Sequence, residues 1–333
     1  MIIVMSATRN WYIYMAVTLY SLCKHNKVEK MYLFIEDENI PFLDDERIEF
    51  ININKLPDYI KRTSPNYNTH YTRMIFARCY FSKVLKCDKI IYIDVDALCV
   101  DNIQEIWNLD LQDNAIAGVF ENGEWEKYLQ FNKLDTTYIN AGFMLMNLKQ
   151  IREQGIDDKI IYLINNISYA FPDQDAINIV CRDKIKHISN IYNSCETTGI
   201  VDNVKIIHYI RDKKGWVQGS PRGEIWQKYF NEMIKGGEEM EENYKVKALV
   251  SFDDYLGKPV TEGSTHEKRE AGKSEWWTTK DRYEFLKSKG AVELVETKRI
   301  ELPKLEEKKE EEKPKIKVVK KTKRAPIKNL KKK

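Results

Sequence analysis

The sequence predicts an α/β protein: a mostly parallel, Rossmann-like sheet with helices on both faces, then a small C-terminal module and a disordered basic tail. Three observations predict it. Apolar runs of strand length alternate with stretches of helical periodicity, the order that builds a parallel sheet covered on both faces. The runs Ile2-Ile3-Val4-Met5 and Lys89-Ile90-Ile91-Tyr92-Ile93 read as buried strands. The composition then changes near Lys235, where glycines, acidic residues and finally lysines take over.

Residues 2–5 open as a strand, 6–10 form a polar loop, and a helix runs from there to about residue 22. Further strands are expected at 31–35 and 48–53. Residues 74–85 carry apolar side chains at helical spacing, and Cys87-Asp88 turns the chain into the strand at 89–93. Asp101 is an acceptable cap for a short helix through Trp107. A strand at 115–119 precedes one at 138–147, which is opened by the small-residue break Asn140-Ala141-Gly142. Helices are expected at 149–154, at 157–165 and from about Asp175, with a late strand at 204–208. This places a main domain at 1–235 and a linker at 236–243. A small accessory α/β module at 244–298 and a disordered charged tail at 299–333 complete the chain.

The chain has 333 residues, 43% of them hydrophobic, enough for one large domain or two smaller ones. Its net charge of +3 is too small to imply a nucleic-acid partner for the whole chain. The tail is one-sidedly basic, with no acidic residue from 313 to 333, and suits a polyanion or an anionic membrane surface. It lacks interleaved aromatics, so base stacking is not indicated. The six cysteines form no close pair and read as buried, reduced thiols, which implies a cytoplasmic chain, peripheral at a membrane if the tail engages one. The apolar segment at 11–23 lacks a small-residue cleavage site and is too short to span a bilayer, so a buried helix is expected there.

The chemistry starts at Asp94-Val95-Asp96. Two carboxylates one residue apart, at the carboxyl end of a buried strand, can converge on a hard divalent cation. Ligands of parallel sheets bind at that edge. His208, at the end of the late strand, can add an imidazole nitrogen, which Mn²⁺ accepts beside carboxylate oxygen. Lys213 and Lys214 follow, and a lysine there can meet a diphosphate as a point charge. Asp173-Gln174-Asp175 opens a helix after Pro172, and Gln174 at that terminus can face a sugar. Asn140 offers an amide beside a backbone tight enough for close approach. Each motif also has a plain structural role: turn, buried imidazole, solvated loop, helix cap or β-bulge.

Taken in order, Asp94-Val95-Asp96, Asn140-Ala141-Gly142, Asp173-Gln174-Asp175 and His208-Tyr209 through Lys214 and Trp216 resemble the motifs of glycosyltransferase family 8. The opening Ile-Ile-Val-Met-Ser-Ala-Thr-Arg-Asn-Trp is similar to that family's nucleotide-binding strand and loop, and the resemblance covers about residues 1–235. It implies a GT-A fold, a nucleotide-sugar donor such as UDP-glucose or UDP-galactose, Mn²⁺ (or Mg²⁺) and retention of anomeric configuration. By motif position it implies Asp94, Asp96 and His208 as metal ligands, with Val95 beside them, and Lys214 on the diphosphate. Ser6, Thr8, Asn10 and Trp11 would line the uridine pocket. Arg78, Asn140, Ala141, Asp173 and Gln174 would face the donor sugar. The acceptor would be a glycan, a cell-wall polymer or a protein hydroxyl.

Gln174 is neutral and weakly basic, so same-face attack is expected, with the leaving phosphate oxygen taking the acceptor's proton; Asp173 is the carboxylate alternative. The family usually has an acidic residue where Thr8 stands and glycine where Arg211 stands. Two other readings remain open: a self-glucosylating protein similar to glycogenin, and a glycan-binding or phage-type structural protein carrying a vestigial transferase domain.

Overall fold

A computed structural model of the chain describes residues 1–67, 72–121, 138–217, 219–235, five short strands between 244 and 297, and residues 302–305. In chain order, β1 (Ile2–Ser6), α1 (Tyr12–His25), β2 (Lys30–Ile35) and β3 (Ile48–Asn52) come first. Then come α2 (Phe81–Val84), β4 (Lys89–Ile93), β5 (Ala97–Cys99), α3 (Gln104–Trp107), β6 (Ile116–Phe120) and β7 (Ile139–Asn147). The described part of the main domain closes with α4 (Leu148–Glu153), α5 (Ile156–Asn166), α6 (Pro172–Cys181), β8 (Ile185–His187), β9 (Ile206–His208) and α7 (Gly223–Lys235).

The main sheet has seven strands in the order β3-β2-β1-β4-β7-β6-β8. Its ladders are parallel except where β7 runs against β4 and β6. The apolar runs are continuous because both sheet faces are covered, and successive side chains point to opposite faces. Ile3, Met5, Leu33, Ile91 and Ile93 enter one core with α1 and with Trp226, Tyr229 and Met233 of α7. Val4, Phe34, Ile90 and Tyr92 enter the other, with Phe76, Phe81, Ile160 and Ile177.

Most expected elements are present, displaced by a residue or two. The stretch at 74–85 instead divides into a 3-10 run, Arg73–Cys79, and the short α2. Over two or three turns apolar spacing does not separate i+3 from i+4 bonding. The late strand does not join the main sheet; β9 pairs antiparallel with β5, a three-residue strand the sequence does not announce. Helix α7 also went unanticipated, although Ile225, Trp226, Tyr229, Phe230, Met233 and Ile234 fall at helical spacing.

Beyond the main domain, β10 (Tyr244–Ala248), β11 (Phe252–Asp254), β12 (Glu267–Arg269), β13 (Glu275–Thr278) and β14 (Val292–Thr297) are all strands. They form a β13-β10-β14 sheet and a β11-β12 pair. The expected linker, and any helix of the accessory module, lie outside the described residues. Four residues of the expected tail, 302–305, are described, and they lie on the main domain. Leu302 is buried in the α1 core, Pro303 C=O accepts from Arg47 Nη2 at 3.1 Å, and Lys304 pairs with Glu46 at 2.7 Å. Among the described residues no helix is long and apolar enough to cross a membrane, and the six cysteines are free.

Candidate active site

The turn after β4 presents Asp94 and Asp96 at the carboxyl edge of the sheet. The β5–β9 pairing then brings in His208: Ala97 stands opposite it, and Tyr209 N–H bonds Asp96 C=O at 2.9 Å. Asp94, Asp96 and His208 each offer one ligand atom within 4.8 Å of the others. His208 Nε2 lies 3.2 Å from Asp96 Oδ1 and 3.8 Å from Asp94 Oδ2. Donors held about 2.1 Å from an octahedral cation stand roughly 3 Å apart, so these spacings suit a small divalent ion.

The remaining oxygens are already engaged. Asp94 Oδ1 accepts from Arg78 Nη2 at 2.7 Å and from the Tyr92 hydroxyl. Asp96 Oδ2 accepts from Lys214 Nζ. His208 Nδ1 is 2.8 Å from Asn193 Oδ1, which leaves Nε2 facing the carboxylates. The hard oxygens and single imidazole nitrogen fit Mn²⁺ or Mg²⁺. Electrostatics agree: burial raises the Asp96 carboxyl, but His208 and Lys214 outweigh it and hold the group far below the usual range. Burial likewise pushes the His208 imidazole down, and Asp96 overrides that, taking it up to about 10.

Gly142 makes this closeness possible. Its carbonyl accepts Asp94 N–H at 2.9 Å, and a Cβ there would lie 2.2 Å from His208 Cε1 and 2.9 Å from Asp94 Oδ2. Where β6 advances by one residue, from Gly118 to Val119, β7 passes over three, Ala141 to Phe143, so the ladder carries a bulge-like irregularity at this break. Here the bulge lies against the carboxylate–imidazole cluster.

A cleft of about 120 Å³ beside Asn140 is lined by Gln174, Glu121, Tyr138, Phe171 and Arg211, among others. Gln174 Oε1 accepts Ala141 N–H at 2.9 Å, which occupies one of its two lone pairs and ties the carbonyl to the backbone. Asp173 is buried 3.2 Å from Arg78 Nε; burial raises its carboxyl although Arg78 opposes this. Asp175 lies inside the first turn of α6 and is not its N-cap, which is Phe171; its carboxylate accepts Phe171 N–H at 3.1 Å and the Tyr138 hydroxyl. Arg78 itself is buried, bonded to Ala141 C=O and Asp94 with its guanidinium 4.4 Å over the Tyr92 ring. It braces Asp94 against the β7 backbone.

The β1 residues divide. Trp11 packs edge-on to Trp216 at 5.4 Å, and Lys214 Nζ lies 5.8 Å from its ring, which brings Trp11 to the site. Ser6 is buried and donates to Met74 C=O at 3.2 Å. Thr8 and Asn10 follow β1, half-buried and exposed. The Thr18 hydroxyl lies 2.7 Å from Ala97 C=O and 3.0 Å from Val95 C=O, which ties α1 to the turn that carries the two aspartates. Arg211, at φ 56°, has the left-handed backbone that glycine adopts freely. Asn193, Tyr92 and Glu121 escaped the sequence reading. Tyr92 reads there as core and Asn193 sits in an unpatterned polar run, so neither carried a signal.

This architecture is the α/β fold of GT-A type. The solved galactosyltransferase LgtC, crystallised with donor and acceptor sugar analogues, superposes with a TM-score of 0.57 at 20% identity, covering 70% of this chain and 96% of that one. Residues 2–219 match the family model described as glycosyl transferase family 8, and the chain belongs to that family. Among curated relatives, the lipopolysaccharide 1,3-galactosyltransferase of Salmonella typhimurium is 31% identical over 166 residues, 44% of this chain and 48% of that protein. General stress protein A of Bacillus subtilis is 28% identical over 174 residues, 45% of this chain and 61% of that protein. The chain thus spans less than two thirds of the length of these relatives.

Proposed function

We propose that this chain is a retaining hexosyltransferase that moves glucose or galactose from a UDP-sugar to a glycan or another hydroxyl acceptor, dependent on Mn²⁺. The observation that carries this reading is the convergence of Asp94 Oδ2, Asp96 Oδ1 and His208 Nε2, beside a cleft presenting Asn140 and Gln174. Asp94, Asp96 and His208 would hold the metal, which when bound neutralises charge on the departing diphosphate. Lys214, the counter-ion of Asp96, would meet the same diphosphate as a point charge. Such fixed positive charge is the main electrostatic contribution of the site. Trp11 and Trp216 would flank the nucleotide base.

With its Oε1 bonded to Ala141, Gln174 is poorly disposed to attack an anomeric carbon and better suited to hold the sugar. Asp173 is buried in an ion pair with Arg78. Both observations favour same-face attack, in which the acceptor hydroxyl gives its proton to the leaving phosphate oxygen. The test is UDP release from a panel of UDP-sugars, with Mn²⁺ and with EDTA, for the native chain and an Asp94→Asn/Asp96→Asn variant. Metal-dependent release from one sugar, lost in the variant, is expected. Equal release by the variant would refute the metal site, and no release from any UDP-sugar, with or without acceptors, would refute the transferase reading.

A further inference from the structure

Beyond the metal ligands, a line of buried amides runs from His208 into the cleft. Asn193 is fully buried, and both ends of its side chain are committed. Oδ1 faces His208 Nδ1 at 2.8 Å, and Nδ2 donates to Asn140 Oδ1 at 2.8 Å. Asn140 Oδ1 also receives Gly142 N–H at 3.0 Å, and Asn140 Nδ2 donates to Glu121 Oε1 at 2.7 Å. Gln174 Nε2 reaches the same Glu121 oxygen at 3.4 Å.

A carboxamide accepts at one end and donates at the other, so each orientation in this line dictates the next. When His208 turns an Nε2 lone pair to a cation, its proton must sit on Nδ1 and needs an acceptor. Asn193 Oδ1 is that acceptor. Its NH2 then points at Asn140, whose oxygen must face back, which sends the Asn140 NH2 toward Glu121. Flipping Asn193 would set N–H against N–H at His208 and oxygen against oxygen at Asn140.

We propose that Asn193 is a positioning residue that fixes the metal-competent tautomer of His208 and, through the same amide, the orientation of Asn140 toward the donor sugar. Outer partners of this kind raise ligand basicity and hold ring orientation. The inference rests on the transferase reading above, and adds that metal and sugar sites share one orienting group.

Two substitutions separate its two roles. Asn193→Ala removes both contacts. Asn193→Asp keeps an acceptor for Nδ1–H but sets an oxygen against Asn140 Oδ1. For the full chain, Mn²⁺ affinity is read from the free-ion EPR signal. The ratio of UDP-glucose or UDP-galactose affinity to UDP affinity is read by calorimetry at saturating Mn²⁺, and thermal unfolding is followed alongside. Asn193→Ala should weaken Mn²⁺ binding about 10- to 100-fold and lose the sugar increment. Asn193→Asp should hold Mn²⁺ affinity within about threefold yet lose most of the sugar increment. Wild-type Mn²⁺ affinity in Asn193→Ala, or an intact sugar increment in Asn193→Asp, would overturn the proposal. So would equal losses in both variants that follow a fall in thermal stability, since that is a merely structural role. The Asp96→Asn variant separates the two levels: if the native chain binds Mn²⁺ no better than Asp96→Asn, the metal-site reading fails and this inference with it. If only the Asn193 variants behave like the native chain, the inference alone fails.

Discussion

Replacing Gly142 by alanine adds one methyl group and should abolish metal binding. The new Cβ would lie 2.2 Å from His208 Cε1 and 2.9 Å from both His208 Nδ1 and Asp94 Oδ2. Carbon atoms rest about 3.5 Å apart, so the imidazole or the β7 backbone must retreat by roughly 1.3 Å. The imidazole has little room, being buried and held to Asn193 at 2.8 Å. Metal sites tolerate donor displacements of about 0.2 Å, so a shift several times larger removes the imidazole as a ligand. A loss of about 100-fold or more in Mn²⁺ affinity is expected, with an overpacking cost of about 1–3 kcal/mol in stability. EPR titration of free Mn²⁺ and denaturant unfolding of the same preparation measure the two effects. Mn²⁺ affinity within about threefold of the native chain would refute the reasoning, because it would mean the donors did not need the room that glycine leaves them.

Four further outcomes are expected. His208 is held up at about 10, chiefly by Asp96 against burial, so Mn²⁺ must displace a proton; affinity should rise about tenfold per pH unit between about 7 and 9. In the metal-free chain the same pair contributes stability that is fully present below about pH 6.5 and lost as pH rises through about 10, so unfolding midpoints should fall on the alkaline side. A pH-independent Mn²⁺ affinity would contradict this. Arg211→Gly relieves a left-handed backbone at φ 56° and should raise stability by about 0.5–1 kcal/mol after glycine's extra chain entropy; a lower denaturant midpoint would count against it. A chain ending at residue 298 loses the burial of Leu302 and should be about 1.5–3 kcal/mol less stable than one ending at 305, measured by urea unfolding at constant slope.

The sheet was legible because its strands are long, apolar and buried on both faces, so each run carries its own signal. The carboxylate pair was legible for a related reason: it terminates such a run. What brings His208 to it was not. The three-residue strands β5 and β9 are too short for periodicity to register, and their pairing is a tertiary fact. The amide line was hidden more completely, since Asn193 has no spacing relation to Asn140 or Glu121. Arg78 shows a further limit. The resemblance sets it at the donor sugar, and its contacts with Ala141, Asp94 and the Tyr92 ring are tertiary ones that no spacing announces.

The reversed direction of β7 has a consequence for how such a chain can diversify. Because β7 runs against β6, the chain leaving Glu121 and returning at Tyr138 does so at the edge that carries Asp94 and Asp96, where Glu121 N–H bonds Tyr138 C=O at 2.9 Å. A parallel strand would have needed a crossover returning to the far edge. The chain therefore leaves and re-enters the sheet at two bonded positions, Glu121 and Tyr138. Changing the sequence between them should cost the sheet no register and little closure entropy. Sequence exchanged between these two anchors would change the chain that enters and leaves beside the cleft they line, while the Asp94, Asp96 and His208 cluster stays as it is.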